Sequence, residues 1–508
     1  MVPLTPFFFA VVLACGGGDA PTTRTAPSTG TAPSPSTHDS TPVTDTGTDS
    51  DTQPTDTRTL VDVAHPRELR GAWIATVWNI NFPSTTGLSA EASAAELDAL
   101  VQVAADTGLN ALFFQIRPEA DALYSSELEP WSRYLDGTQG VDPGYDPLAY
   151  LIERAHGEAI EVHGWMNPYR AKASESSTAV APHLSVTYPE YAYDYGGLVW
   201  MDPAAEPVRQ RVVDVVGDVI TRYDIDGIHF DDYFYPYPDG TEFPDHATYD
   251  AYVDGGGGLS RDDWRRDNVH QLVREVHEAV VAMRPDVRFG IAPFGIYRPG
   301  QPEGITGLDQ YAELYADPVV WAEEGWLDYL APQLYWPHDQ AGQEYEPLLT
   351  WWLDLDIPVF VGNYLSQLGT SSSWDLDEFR TQVAISRDHA DSGSLGNIWY
   401  NIDPLVIDTE GVRGVLHDEF YATPARPPAI PRMAEVSVSP PDVAVEGDIL
   451  VPTHDTAAAF VLYRQDGAGF ALVDIASHSG SFQVDPGVWA VSAVGRHGVE
   501  SQAVVLSL

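Results

Sequence analysis

A short apolar run recurs eight times in this chain with stretches of helical spacing between the runs, and that recurrence leaves few folds open. The runs fall at 71–77, 111–116, 160–165, 225–230, 287–293, 329–336, 358–364 and 396–400. Between them, segments 90–107, 147–157, 207–223, 264–283, 345–355 and 376–391 carry apolar residues three and four apart, with a weaker helix near 321–326. Gly108 stops the first helix, and Pro207 takes an early helical position where a missing N–H costs nothing. Near-continuous apolar strands joined by helices imply a parallel sheet buried on both faces. Eight such units predict an α/β fold of the (β/α)8 TIM-barrel type. An open doubly wound sheet is the alternative, but no Gly-rich dinucleotide loop follows the first run.

With 508 residues the chain exceeds what a single core normally holds, and its flanks differ in texture from the barrel segment. Residues 1–15 resemble a bacterial lipoprotein signal, an apolar run ending at Cys15, whose acylation would make it the mature N-terminus. Residues 16–62 are mostly Thr, Ser, Pro, Asp and Gly and are expected to form a disordered tether. The expectation is an exported lipoprotein of the cell envelope, on the outer-membrane or periplasmic side, held to the membrane by its lipid. Because Cys15 is the single cysteine, an internal disulfide and a cysteine-based metal cluster are excluded. The barrel should occupy 63–422 and a Pro-rich linker 423–432. Residues 433–508 change to period-two alternation, with runs at 434–438, 457–464, 470–474, 480–484 and 489–494, and predict an all-β sandwich. Its ending, WAVSAVGRHGVES, resembles the last strands of fibronectin type III modules. A formal charge of -49 argues against nucleic acid or an anionic membrane surface as the main partner.

The densest chemistry lies in residues 223–236, YDIDGIHFDDYFYP. Strand alternation puts His229, Asp231 and Tyr233 on one side and Ile228, Phe230 and Asp232 on the other. In a barrel the reactive groups gather at the C-terminal ends of the strands. The ends of the first three runs offer Trp78 and Asn79, Arg117 and Glu119, and Asn167 with Tyr169 and Arg170. Later ends offer Tyr297 and Arg298, then Gln333, Tyr335 and Trp336, then Asn363 and Tyr364, and finally Trp399 and Asn401. Aromatic faces among amides, arginines and carboxylates suit a neutral sugar, and glycosidic cleavage needs carboxylates in two roles. Asp231, Asp232 and Glu119 are the candidates, a salt bridge to Arg117 or Arg170 being the competing role for Glu119. No paired-ligand histidine pattern surrounds His229, so neither a metal nor another cofactor is called for. A non-catalytic glycan-binding lipoprotein and a metal-dependent polysaccharide deacetylase stay open as alternatives.

The blocks RGAWIATV, FFQIRPEADALYSS, DPLAYLIERAH, HGWMNPYR, YDIDGIHFDDYFYP, IAPFGIYR and PQLYW resemble the glycosyl-hydrolase-like 10 family. The resemblance implies a barrel glycoside hydrolase acting on peptidoglycan glycan strands next to N-acetylated amino sugars, in some members on strands stripped of their stem peptides. Residues 226–231 are also similar to the fourth-strand motif of chitinase-type barrels, in which carboxylates promote attack by the substrate's own acetamido group. Here His229 stands at the position of one Asp, and Tyr233 at that of the catalytic Glu. Asp231 is therefore expected to orient or stabilise the reacting centre and Asp232 to be the leading acid, with Glu119 behind it.

Overall fold

The structure is a computed structural model and describes residues 58–370 and 374–508; Cys15, the signal and nearly all of the tether lie outside the described residues. Eight parallel strands close into a barrel: β1 (Leu69–Ile74), β2 (Ala111–Arg117), β3 (Glu161–Met166), β4 (Gly227–Phe230), β5 (Arg288–Ile291), β6 (Tyr329–Leu330), β7 (Val359–Asn363) and β8 (Ser394–Trp399). Each pairs with its sequence neighbours, and β8 returns to β1 with Trp399 beside Ala72.

The helices follow local signals. In α1 (Ala90–Thr107) the Ser89 side chain accepts the N–H of Ala92, and Gly108, at φ 81, ends the helix in the left-handed conformation. Helix α2 (Pro147–Gly157) begins on the Asp146 side chain, and α3 (Glu206–Arg222) has Pro in its first turn. Helix α4 (Arg261–Met283) starts at Ser260, with Asp262 and Asp263 facing the positive end of its dipole. Completing the layer are α5 (Pro318–Glu323), α6 (Tyr345–Leu353) and α7 (Leu376–Asp388).

Large rings fill the barrel interior: Trp73, Phe113, Trp165, Tyr329 and Phe360 are all buried there. They fit because some strands give up their side chains. A Cβ on Gly290 would lie 2.2 Å from the Tyr329 ring, and one on Gly227 would lie 2.4 Å from the His163 imidazole.

The C-terminal region contains β9 (Asp442–Glu446), β10 (Ile449–Thr453), β11 (Ala457–Asp466), β12 (Gly469–Ser477), β13 (Phe482–Gln483), β14 (Val488–Gly495) and β15 (Ala503–Ser507). They form two antiparallel sheets, β9-β10-β13 and β15-β14-β11-β12. Three expectations are corrected. The run at 434–438 is not a strand, since it follows the short turn Pro431–Met433 and pairs with nothing. Strands β9, β10 and β15 had gone unread. The tether stops short of residue 62, because Leu60 and Val61 pair with Val504 and Ala503 and extend the larger sheet.

Residues 423–432 are strapped to the barrel floor. Asn110 Nδ2 donates to the Ala425 carbonyl at 3.0 Å, and Arg288 donates to that of Pro428 at 2.6 Å. The module itself is tied on by ion pairs, Arg496 to Asp226 at 3.0 Å and Arg67 to Glu500 at 3.2 Å. It therefore sits at the N-terminal ends of the strands, opposite the mouth.

Overpacking a filled interior costs about 1–3 kcal/mol. Gly290→Ala is expected to lower Tm by at least about 2 °C, because the Tyr329 ring has no room to retreat. An unchanged Tm in a melting experiment would show that the rings are not locked as described.

Candidate active site

Strand β4 brings His229 into the interior, and the chain then leaves strand geometry after Phe230. Asp231 continues the inward direction. Trp165 Nε1 donates to its Oδ2 at 3.0 Å, Asn167 Nδ2 donates to the same oxygen, and the Tyr233 N–H reaches Oδ1 at 3.3 Å. Asp232 does not point the opposite way, as continued alternation would require. Its carboxylate turns back to the mouth, where Gln333 Nε2 donates at 3.1 Å and the Tyr237 hydroxyl donates to the other oxygen.

Both carboxyls are buried, at 5% and 2% exposure, and burial makes ionisation costly for each. Asp231 is pushed up to about 7, first by burial and then by the charge of Asp232, against the pull of Arg170 and the Trp165 N–H. Asp232 is raised by burial, which outweighs the donors Tyr237 and Gln333. Near neutral pH the Asp231 carboxyl therefore keeps a proton far more readily than a free Asp.

Around this pair stand several of the expected residues. Arg170 donates to Asn167 Oδ1 at 2.7 Å and lies 5.3 Å from the Tyr233 ring centroid. Tyr335 stacks on Tyr364 at 4.8 Å, with Tyr400 5.7 Å away, making an aromatic wall at the ends of β6, β7 and β8. Trp336 packs on Phe294 at 5.6 Å, which in turn meets Tyr237. Trp78 stands exposed on the rim.

Other expected site residues lie elsewhere. His229 is fully buried below the mouth, with Nε2 accepting from Trp73 Nε1 at 3.1 Å and Nδ1 2.9 Å from the Tyr329 hydroxyl. An indole N–H can only donate, so Nε2 carries the lone pair and Nδ1 the proton. Burial and the neighbouring His163 hold this imidazole neutral, well below its ordinary value. Arg117 is sealed beneath the loops in a pair with Glu129, at 2.5 Å. Glu119 is claimed by neither Arg117 nor Arg170; Arg133 grips it at 2.8 and 3.0 Å, and the Ala173 N–H donates to it as well. That fully engaged carboxylate is structural.

Asn79 donates to the carbonyls of Pro83 and Tyr134, both at 2.9 Å. Tyr169 is wholly buried. Tyr297 turns to Asp317 and stacks on Trp351, and Arg298 pairs with Asp309, so both leave the mouth. Asn363 and Trp399 face the helices, Asn363 donating to Tyr345 and Gln382 and Trp399 packing on Phe379. Asn401 accepts the N–H of Asp403 at 3.1 Å and serves as a local cap. Trp165, Tyr237 and Tyr400 join the site although their residue types had not marked them in the sequence. Alternation held the signal for Tyr400, since an outward Trp399 turns its successor inward.

The profile of the family described as Glycosyl hydrolase-like 10 matches residues 68–372. Glycosyl hydrolase YngK of Bacillus subtilis (strain 168) is 35% identical over 436 residues, spanning 80% of this chain and 85% of that protein. Glycosyl hydrolase DigH of Escherichia coli (strain K12) is 33% identical over 338 residues, spanning 61% of this chain and 76% of its own. Among solved structures, the PgaB (BpsB) glycoside hydrolase domain from Bordetella bronchiseptica is similar at 14% identity and a TM-score of 0.44, covering 69% of this chain and 99% of that one.

The raised carboxyl makes stability depend on pH with a definite sign. Folding favours protonated Asp231, so its contribution is complete below about pH 4, the unfolded value, and is lost as pH rises through about 7. Asp231→Asn keeps an oxygen for Trp165 and Asn167 and removes that loss. The gain in its Tm over the wild type should therefore be larger at pH 8 than at pH 5. An equal gain at both, by scanning calorimetry, would contradict the assignment.

Proposed function

The chain belongs to the glycosyl hydrolase-like 10 family, and from that membership we propose that it cleaves glycosidic bonds next to N-acetylated amino sugars in peptidoglycan glycan strands. The observation that carries this reading is the buried Asp231–Asp232 pair, both carboxyls made harder to ionise by burial, inside a mouth walled by tyrosines. A sugar ring lies against Tyr335, Tyr364 and Tyr400 through its C–H face, while Gln333, Asn167 and Arg170 meet its polar groups.

Asp231 Oδ2 already takes two strong donors, whereas Oδ1 takes only the longer Tyr233 N–H. Oδ1 therefore has room to accept the N–H of a substrate acetamido group. Accepting it favours ionised Asp231, whose charge in turn favours a proton on Asp232. Asp232 gives this proton to the leaving glycosidic oxygen as the acetamido oxygen attacks the anomeric carbon, closing a five-membered ring and breaking the glycosidic bond. Asp232, now a carboxylate, takes a proton from water as that water reopens the ring. Asp232 thus fills the acid role that Tyr233 cannot supply, a phenol being a far weaker acid than a carboxylic acid, and burial raises Tyr233 further still. The same reading has the enzyme exported and held at the envelope through a lipid on Cys15, near its polymeric substrate.

Digestion of peptide-free and peptide-bearing glycan, with products identified by mass, tests the reading. Asp231→Asn should lose at least about 100-fold in turnover on every substrate, and Asp232→Asn a similar amount on glycan. On an aryl glycoside whose leaving group needs no proton, Asp232→Asn should recover the ring-closing step, read as fast initial aryl release, and Asp231→Asn should not. Glu119→Gln, which touches only the rim loop, should keep most turnover. Near-normal cleavage by Asp231→Asn would overturn the assignment, and release of no glycan product by the wild type would overturn the substrate.

A further inference from the structure

We propose that Trp78 is the stacking platform of an outer sugar subsite, which gives long glycan strands an affinity that short fragments lack. The inference rests on the glycan reading above and adds selection by chain length to it. Trp78 is 50% exposed, and no other aromatic side chain among the described residues is exposed. It follows β1, three of eight strands around the closed barrel from β4, so it stands at the mouth on the part of the rim away from Asp231 and Asp232.

The backbone is shaped to present this ring. Trp78 has φ 58 and Asn79 φ 52, two successive non-glycine residues in the left-handed region, a conformation that persists only where the surroundings impose it. Those surroundings are specific. The Asn79 amide is fastened to the Pro83 and Tyr134 carbonyls. The Arg133 guanidinium lies 5.4 Å from the Trp78 ring and 4.8 Å from that of Tyr134, and is held by both oxygens of Glu119. Arg133 and Tyr134 brace the indole on one side and leave the rest to water.

A loop with nothing to bind gains by burying an indole, and this loop spends backbone strain to keep it out. A flat, rigid and uncharged surface at the edge of a sugar-binding mouth fits the C–H face of a pyranose ring. With that separation, the sugar it meets lies beyond the one whose bond is cut. Trp78 thus acts on strand binding, while Asn79 and Arg133 are positioning residues for its ring.

Binding of peptide-free glycan oligosaccharides of increasing repeat number tests this, measured by calorimetry on the Asp232→Asn protein so that turnover does not consume the ligand. Affinity should rise with length in that background. Adding Trp78→Ala should cost about tenfold on the longest strands, the worth of one ring stack, and bring the long-to-short ratio near one. Trp78→Phe, which keeps a ring face, should retain most of the ratio. Retention of the full ratio by Trp78→Ala with an unchanged Tm would overturn the proposal. So would length-independent binding by the parent. If length-dependent binding is lost with Trp78 while the wild type cleaves no glycan, the subsite stands and the hydrolytic reading falls.

Discussion

Two carboxyl groups on adjacent residues, both stripped of water, are the constraint to which the rest of the mouth answers. Neither Asp231 nor Asp232 can be buried fully ionised beside the other at modest cost. The protein meets that cost in part by a carboxyl on Asp231 that is hard to ionise and in part with five donors drawn from four segments. Trp165 comes from β3 and Asn167 from the turn after it; the Tyr233 N–H and Tyr237 come from the loop after β4, and Gln333 from the segment beyond β6. Because those donors sit on different strands, the pair is only as well placed as the barrel is closed. The site and the fold are therefore one problem, and a strand that slipped in register would lose a donor as well as a ladder.

Closure in turn depends on an interior that is unusually aromatic and not wholly apolar. His229 accepts from Trp73 and adjoins the Tyr329 hydroxyl, which lies 3.4 Å from His163, whose Nε2 meets Glu161 at 3.2 Å. Glu161 ends the series at the floor, between Arg288 and Arg426, each at 3.4 Å. Every ring nitrogen along this line has a partner, so a polar axis is tolerated where branched aliphatic layers are the norm. The axis also links the mouth to the strap, since Arg426 belongs to the segment that leads into the C-terminal sheets. That anchoring explains why residues 423–432, read as a stiff spacer, are better described as part of the barrel floor.

What the sequence disclosed follows from how local each signal is. The first helix was legible to the residue because Ser89 and Gly108 are both local stops, and Asp146 did the same for α2. The barrel was legible because eight runs cannot be arranged in many ways. Side-chain direction at the strand ends was harder, because alternation holds only while the strand lasts. It held for His229 and Asp231 and failed at Asp232, one residue after the chain had turned. Asn363 and Trp399 were counted into the mouth on residue type alone, although their phase puts them against the helices, while Tyr400, with the right phase, was passed over. In the C-terminal sheets, β9 lies largely exposed and offers little contrast between its faces, and the pairing of Leu60 and Val61 with β15 joins residues more than 400 positions apart. No short-range pattern records such a pairing.

The fate of Glu119 separates the mouth into two mechanical parts. As a carboxylate near a strand end it had the type and place of a catalytic acid, yet Arg133 and the Ala173 N–H occupy it completely. An ion pair that is this buried on its acidic side offers little stability on its own account, because desolvation cancels most of the attraction. What it does supply is geometry: it fixes Arg133, which fixes the side of Trp78, against a backbone that would relax by about 1–3 kcal/mol per strained residue if released. Centre and rim therefore use the same residue types for opposite ends. At the centre, carboxylates are left with lone pairs to spare, so that a substrate can change their protonation. At the rim, the carboxylate is saturated, so that an exposed ring keeps its place whatever the protonation of the centre.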